Sequence, residues 1–107
     1  ITRLIKFHSN MKLSLSKFNE VAIPHHLDLL RQHKANIIKY SAAGESGRVR
    51  VETAAARRAA CRLRALLGEL DALRRAVRAE DRAAFDALTA RAIRDTSTAI
   101  TDYTRTY

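Results

Sequence analysis

The sequence predicts an all-α fold, an up-down-up antiparallel three-helix bundle, on three observations. Apolar residues recur three, four or seven positions apart through three long segments, the spacing of one helical face. Only two short breaks separate those segments. With Gly 3, Pro 1 and 6% aromatic residues, the chain also lacks the turn-forming and β-favouring content of a sandwich or barrel. A hydrophobic content of 47% is too high for a disordered chain, and 107 residues suffice for one domain with a single core.

Residues 1–8, ITRLIKFH, alternate weakly and carry no helix-start signal, so they are set apart as an N-terminal arm. Helix A is expected from about Ser9 to residue 41, with Ser9 or Asn10 able to accept a hydrogen bond from the free amides of its first turn. Its apolar stripe runs through Met11, Leu15, Phe18, Ala22, Ile23, Leu27, Leu30, Ile37 and Tyr40. Pro24 has no N–H for the carbonyl of Glu20 and crowds that carbonyl. The helix must therefore kink there or restart with Pro24 in its first turn.

The segment SAAGESGR, with two glycines and two serines, marks the first connection. Helix B is expected over about residues 49–78, its seam formed by Val49, Glu52, Ala56, Ala59, Leu63, Leu66, Leu70, Leu73 and Val77 at alternating intervals of three and four. The alanines allow close approach of a neighbour at its start, and the leucines fill a wider gap at its end. Gly68 lies off the seam and weakens the helix by about 1 kcal/mol relative to alanine. Ala79, Glu80 and Asp81 form the second connection, either carboxylate being able to cap the third helix. Helix C, about residues 82–104, has the weakest stripe, Phe85, Leu88, Ala92, Ala99 and Tyr103, with Ile93 and Ile100 on its flank and Thr96 inside the seam.

Composition narrows function as well. Cys61 is the single cysteine, which precludes an internal disulfide or a thiolate metal site and fits a reducing compartment. No apolar run approaches the roughly 20 residues needed to cross a bilayer, and no leader is expected, so the fragment is expected to be soluble. Ile1 and Tyr107 are expected to be cuts within a longer chain. There is no phosphate-gripping loop, no nucleophile with a base and no paired carboxylates in an apolar setting; enzyme activity and a cofactor are not expected. His25, His26 and His33 do not have the i, i+3 or i, i+4 spacing of ligands on one helix, so no metal site is expected either.

Charge is the strongest signal left. Twenty basic residues, 15 of them arginine, stand against 11 acidic ones, for a net charge of +9. At about 100° per residue, Arg50, Arg57, Arg64, Arg75 and Arg78 form one basic ridge on helix B, away from its leucine seam, with Asp71 the only acid among them. Such a ridge suits an anionic membrane surface, an acidic helix or nucleic acid. Nucleic acid or an anionic membrane is accordingly the alternative function. Against nucleic acid, the chain has no recognition-helix turn and no aromatic cluster for stacking bases.

A resemblance separates these possibilities. Lys17, Phe18, Ile23, Pro24, Leu27, Leu30, Arg31, His33, Asn36, Ile37, Lys39 and Tyr40 stand at the spacing of the first helix in the N-terminal regulatory domain of the syntaxin-17-like Qa-SNAREs. The likeness continues more loosely through the arginine- and alanine-rich second helix and the basic-to-acidic step from Arg78 to Asp81, over roughly Ser9 to Tyr103. It implies a Habc-type bundle that is a non-enzymatic interaction module, with no small-molecule substrate. It further implies a full-length protein with a downstream SNARE motif and a C-terminal membrane hairpin, the hairpin being its contact with the membrane.

That protein would act in fusion of autophagosomes with lysosomes, on the cytosolic face of the autophagosome, the endoplasmic reticulum or mitochondria-associated membranes. The implied partners are its own SNARE motif, other SNARE proteins through the full-length protein, and tethering or Sec1/Munc18-type factors, the HOPS complex included. A partner helix would lie in a groove between two helices. Arg31, His33, Asn36 and Lys39 are the expected contact residues, since they match the motif without being demanded by its apolar pattern. Helix B departs from the family in its excess of alanine and arginine.

Overall fold

The structure is a computed structural model and describes Lys12 and residues 14–107. The expected arm over residues 1–8, and the caps Ser9 and Asn10, lie outside the described residues. Three long α-helices account for nearly all the rest: α1 (Ile23–Ala42), α2 (Ser46–Ala76) and α3 (Arg82–Thr106). They form a rod of 63 × 20 × 16 Å in which α2 runs antiparallel to both neighbours.

Pro24 is accommodated by a restart rather than a demonstrated bend. A π-helical turn, Lys17–Ala22, precedes α1 and closes with the Ile23 N–H donating to the Phe18 carbonyl, five residues back. Pro24 then sits in the first turn of α1, where a missing N–H costs least. The wider π turn also relieves the contact that an α turn would force between the pyrrolidine ring and the Glu20 carbonyl. Ala22 and Ile23 keep right-handed helical dihedrals, so the expected kink is not confirmed.

The first connection is shorter than SAAGESGR. α1 continues to Ala42, and Gly44, at φ 71°, supplies the left-handed residue that ends it. The Glu45 N–H reaches the Tyr40 carbonyl at 3.0 Å and the Gly44 N–H reaches that of Ser41 at 3.1 Å, which together make a Schellman cap. Gly47 is therefore free to enter the first turn of α2, which begins three residues before its first apolar seam position, Val49.

At the second connection, α2 ends at Ala76, and a 3-10 turn, Ala79–Asp81, leads into α3. Asp81 occupies the N-cap position but makes no capping hydrogen bond there, because its dihedrals (φ −103°, ψ −6°) are helical rather than extended. Its side chain is buried instead. Arg74 on α2 grips Asp86 on α3 with two hydrogen bonds, 2.7 and 3.1 Å, and ties the helices together beside the turn. That contact holds the Asp86 carboxyl below its ordinary value.

The core has two clusters. Leu30, Ile37, Ala56, Ala59, Ala60, Leu63 and Tyr103 fill the end near the first connection, and Leu15, Ile23, Leu66, Leu70 and Phe85 fill the other. The seam position Leu73 and the flank residue Ile93 lie near the surface, 38% and 37% exposed, whereas Ala60 and Thr89 are fully buried without belonging to the expected stripes. In a three-helix bundle each helix faces two neighbours, so its buried arc is wider than a two-stranded seam.

Candidate functional site

The three helix pairs are packed unequally. α1 and α2 share the most extensive interface, whereas α1 and α3 touch least. The cause lies in α3. Two of its positions toward α1, Ala92 and Ala99, are too small to fill the gap opposite Leu27 and Leu30. An open groove therefore runs along the rod between these two helices.

Its first part has a volume of about 520 Å³, between Lys12, Leu15, Asn19, Ile23 and Leu27 on one side and Leu88, Arg91, Ala92 and Asp95 on the other. The second part, about 410 Å³, continues past Leu30 and Lys34 opposite Thr98, Ala99 and Asp102. Leu27, Arg31 and Asp95 line both parts and make them one channel. The floor is apolar and the rims are charged, with Arg31 and Lys34 on α1 facing Asp95 and Asp102 on α3.

Asn19 reaches from the π turn to α3 beside the first part, its Nδ2 donating to the Leu88 carbonyl at 3.0 Å. Its Oδ1 is buried with no partner among the described residues.

The four expected contact residues do not share a surface. Arg31 lines the groove and pairs with Asp28 at 3.0 Å. His33 and Asn36 lie on the opposite flank of α1, against α2. His33 Nδ1 approaches Glu52 Oε2 at 2.5 Å, and Asn36 also hydrogen-bonds to that carboxylate. The His33 contact, with help from Asn36, holds the Glu52 carboxyl below its ordinary value of 4.5 although burial pushes the other way. Lys39 is exposed near the end of α1, over the Tyr40 ring at 5.4 Å.

Of the three histidines of α1, His25 and His26 meet edge to face with ring centroids 5.0 Å apart, and His33 lies apart from them. His25 is exposed, His26 donates from Nδ1 to the Ala22 carbonyl at 2.8 Å, and His33 is held by Glu52. Among the described residues no group of three metal-ligating side chains converges.

The five arginines expected to form the basic ridge stand in different settings. Arg50, Arg57 and Arg64 stand exposed in a row on α2, with Arg64 donating to Thr104 Oγ1 at 3.1 Å. Arg75 is neutralised by Asp71 at 2.8 Å, and Arg78 lies beyond the end of the helix, at an extended backbone position. Exposed Arg58, which the ridge did not include, lies on the same outer face.

A groove between two helices was expected, but which pair would leave one open was not legible in the sequence, because it depends on what α3 lacks. The faint signal was the alanine and threonine content of its stripe. No described helix is long and apolar enough to cross a membrane. No curated protein and no solved structure gives a significant match to the chain. One protein-family comparison does: residues 9–107 match the family described as STX17-like, N-terminal domain.

Proposed function

Because the chain belongs to the family of syntaxin-17-like N-terminal domains, we propose that it regulates a SNARE protein acting in fusion of autophagosomes with lysosomes. The family is one of SNARE regulatory domains, not of enzymes. The family match over residues 9–107 carries this reading, and the channel between α1 and α3 supports it by supplying a place for a further helix. An amphipathic helix would set its apolar stripe on Leu27, Leu30, Ala92 and Ala99 and its polar flanks against the charged rims.

The occupant is the protein's own SNARE motif, displaced in turn by tethering or Sec1/Munc18-type factors such as the HOPS complex. Regulation is then a matter of populations. While the bundle holds the motif, assembly with partner SNAREs is suppressed, and a competitor for the groove releases it. The seat of action is the cytosolic face of autophagosome, endoplasmic reticulum or mitochondria-associated membranes.

The test is to delete the domain from the full-length protein and to measure SNARE-assembly rate and tether recruitment. Faster assembly and lost recruitment are expected; no change in either removes the regulatory role. Ala92→Leu and Ala99→Leu, which fill the channel, should reproduce the faster assembly without unfolding the bundle.

A further inference from the structure

The outer face of α2 has no role in that reading, and it carries a dense run of exposed arginines. Between Arg48 and Arg64 the helix carries six arginines and one acid, Glu52, which is turned inward to His33. Among the described residues, Arg48 and Arg62 pair with Glu45 and Glu69 at 3.9 and 3.7 Å, whereas Arg50, Arg57 and Arg58 have no carboxylate partner. Arg50, Arg57 and Arg64 repeat every seven residues, about 10 Å apart along one line of the helix.

We infer that this arginine face, Arg50, Arg57, Arg58 and Arg64, lays the domain lengthwise on an anionic lipid bilayer. The residues between the arginines decide among anionic partners. They are Ala54, Cys61 and Ala65, together with Val51, which is 65% exposed. This face offers no amide or aromatic side chain to read or stack bases, as a nucleic-acid surface would. Nor does it offer the row of apolar anchors that a docked acidic helix needs. Charge set in a row about 21 Å long on the flank of a 63 Å rod, with no apolar stripe, suits a surface of lipid phosphates and carboxylates.

α2 packs against both other helices, so its outer face and the channel between α1 and α3 lie on opposite sides of the rod. A domain held by the arginine face therefore keeps the channel open to the aqueous side. The inference does not depend on which helix fills that channel.

The 107-residue chain is sedimented at physiological ionic strength with phosphatidylcholine vesicles, with and without phosphatidylserine. Binding is expected only with phosphatidylserine. Replacing Arg50, Arg57 and Arg64 together by glutamine should lower the partition coefficient about a hundredfold, at about fivefold per arginine. The same charge change at Arg31, Lys34 and Arg94, on the channel side, should leave it within about twofold, because those charges sit about two Debye lengths farther from the lipid. Equal losses in the two triple variants, or equal binding to both vesicles, overturn the proposal. So does retention on polyuridine RNA without retention on vesicles.

A fluorophore on Cys61, the single cysteine and exposed on this face, gives an independent reading on the unmutated helix. Its quenching by iodide should fall when phosphatidylserine vesicles are added. Unchanged quenching overturns the proposal.

Discussion

His33 on α1 and Glu52 on α2 meet at 2.5 Å, a polar bridge across the most extensive helix interface of the bundle. Glu52 is the one polar residue in the seam of α2, and His33 is the side chain that allows it to sit there. The pair occupies the flank of α1 that faces away from the channel, so it holds the bundle together and is not free for a partner.

The bridge makes stability depend on pH in a definite direction. The folded state lowers the Glu52 carboxyl below its ordinary value of 4.5. Its contribution is therefore complete above that value and is lost as pH falls through the lowered one. Glu52→Gln should reduce the melting temperature at neutral pH, and the gap from the parent should close below pH 4.5. Thermal unfolding followed by circular dichroism at a series of pH values measures it; a gap that stays constant into acid contradicts the assignment.

Leu63 is 0% exposed in the cluster that joins all three helices. Leu63→Ala should destabilise by about 3 kcal/mol, the loss of buried methyl groups plus an unfilled cavity. Val51→Ala, at a site 65% exposed, should change stability by less than about 0.5 kcal/mol. Urea unfolding of both variants provides the comparison.

Ala60 is equally buried but small, and it marks close approach of the helices. Ala60→Leu should destabilise by about 2 kcal/mol through overpacking, the opposite of what added apolar volume does at an exposed site. A melting temperature at or above that of the parent would mean that the alanine end of α2 is not closely packed.

Two glycines should respond in opposite senses to alanine. A Cβ at Gly68 meets nothing within 4 Å, in mid-helix, so Gly68→Ala should stabilise by about 1 kcal/mol. Gly44 has equal space but a φ of 71°, so Gly44→Ala should destabilise by about 1 kcal/mol. Differential scanning calorimetry of the two variants separates open space from backbone conformation.

Thr96 is fully buried in α3, and its hydroxyl has no hydrogen-bond partner among the described residues. Thr96→Val keeps the shape and removes the unpaired group, and should stabilise by about 1 kcal/mol. Thr89, also buried, donates to the Phe85 carbonyl at 2.9 Å, so its valine variant should gain less. Equal shifts in the two denaturation curves would show that the Thr96 hydroxyl is satisfied.

The order of the three helices, their two breaks and most of their core residues were legible in the amino-acid sequence. Helical periodicity is local: a run such as Leu63, Leu66 and Leu70 must turn one face inward whatever it meets. Pro24 and Gly44 likewise act on their own turns, although whether a proline bends a helix or is absorbed by a π turn depends on how the flanking segments are held. The motif of α1 carried the family, but not the use of its polar residues. Arg31 and His33 are two positions apart, and helical geometry sends them to opposite flanks, one to the channel and one to Glu52.

The channel itself was decided only by tertiary structure. Its width is set jointly by Leu27 and Leu30 on α1 and by Ala92 and Ala99 on α3, residues far apart in the chain, and no local pattern records the difference between their volumes. The arginine row was visible as a periodicity, yet only folding showed which part remains uncompensated, because the pairing of Arg75 with Asp71 and the end of α2 before Arg78 depend on where the helix stops. Local spacing determines which face of each helix is apolar; the sum of side-chain volumes across two helices determines whether those faces close.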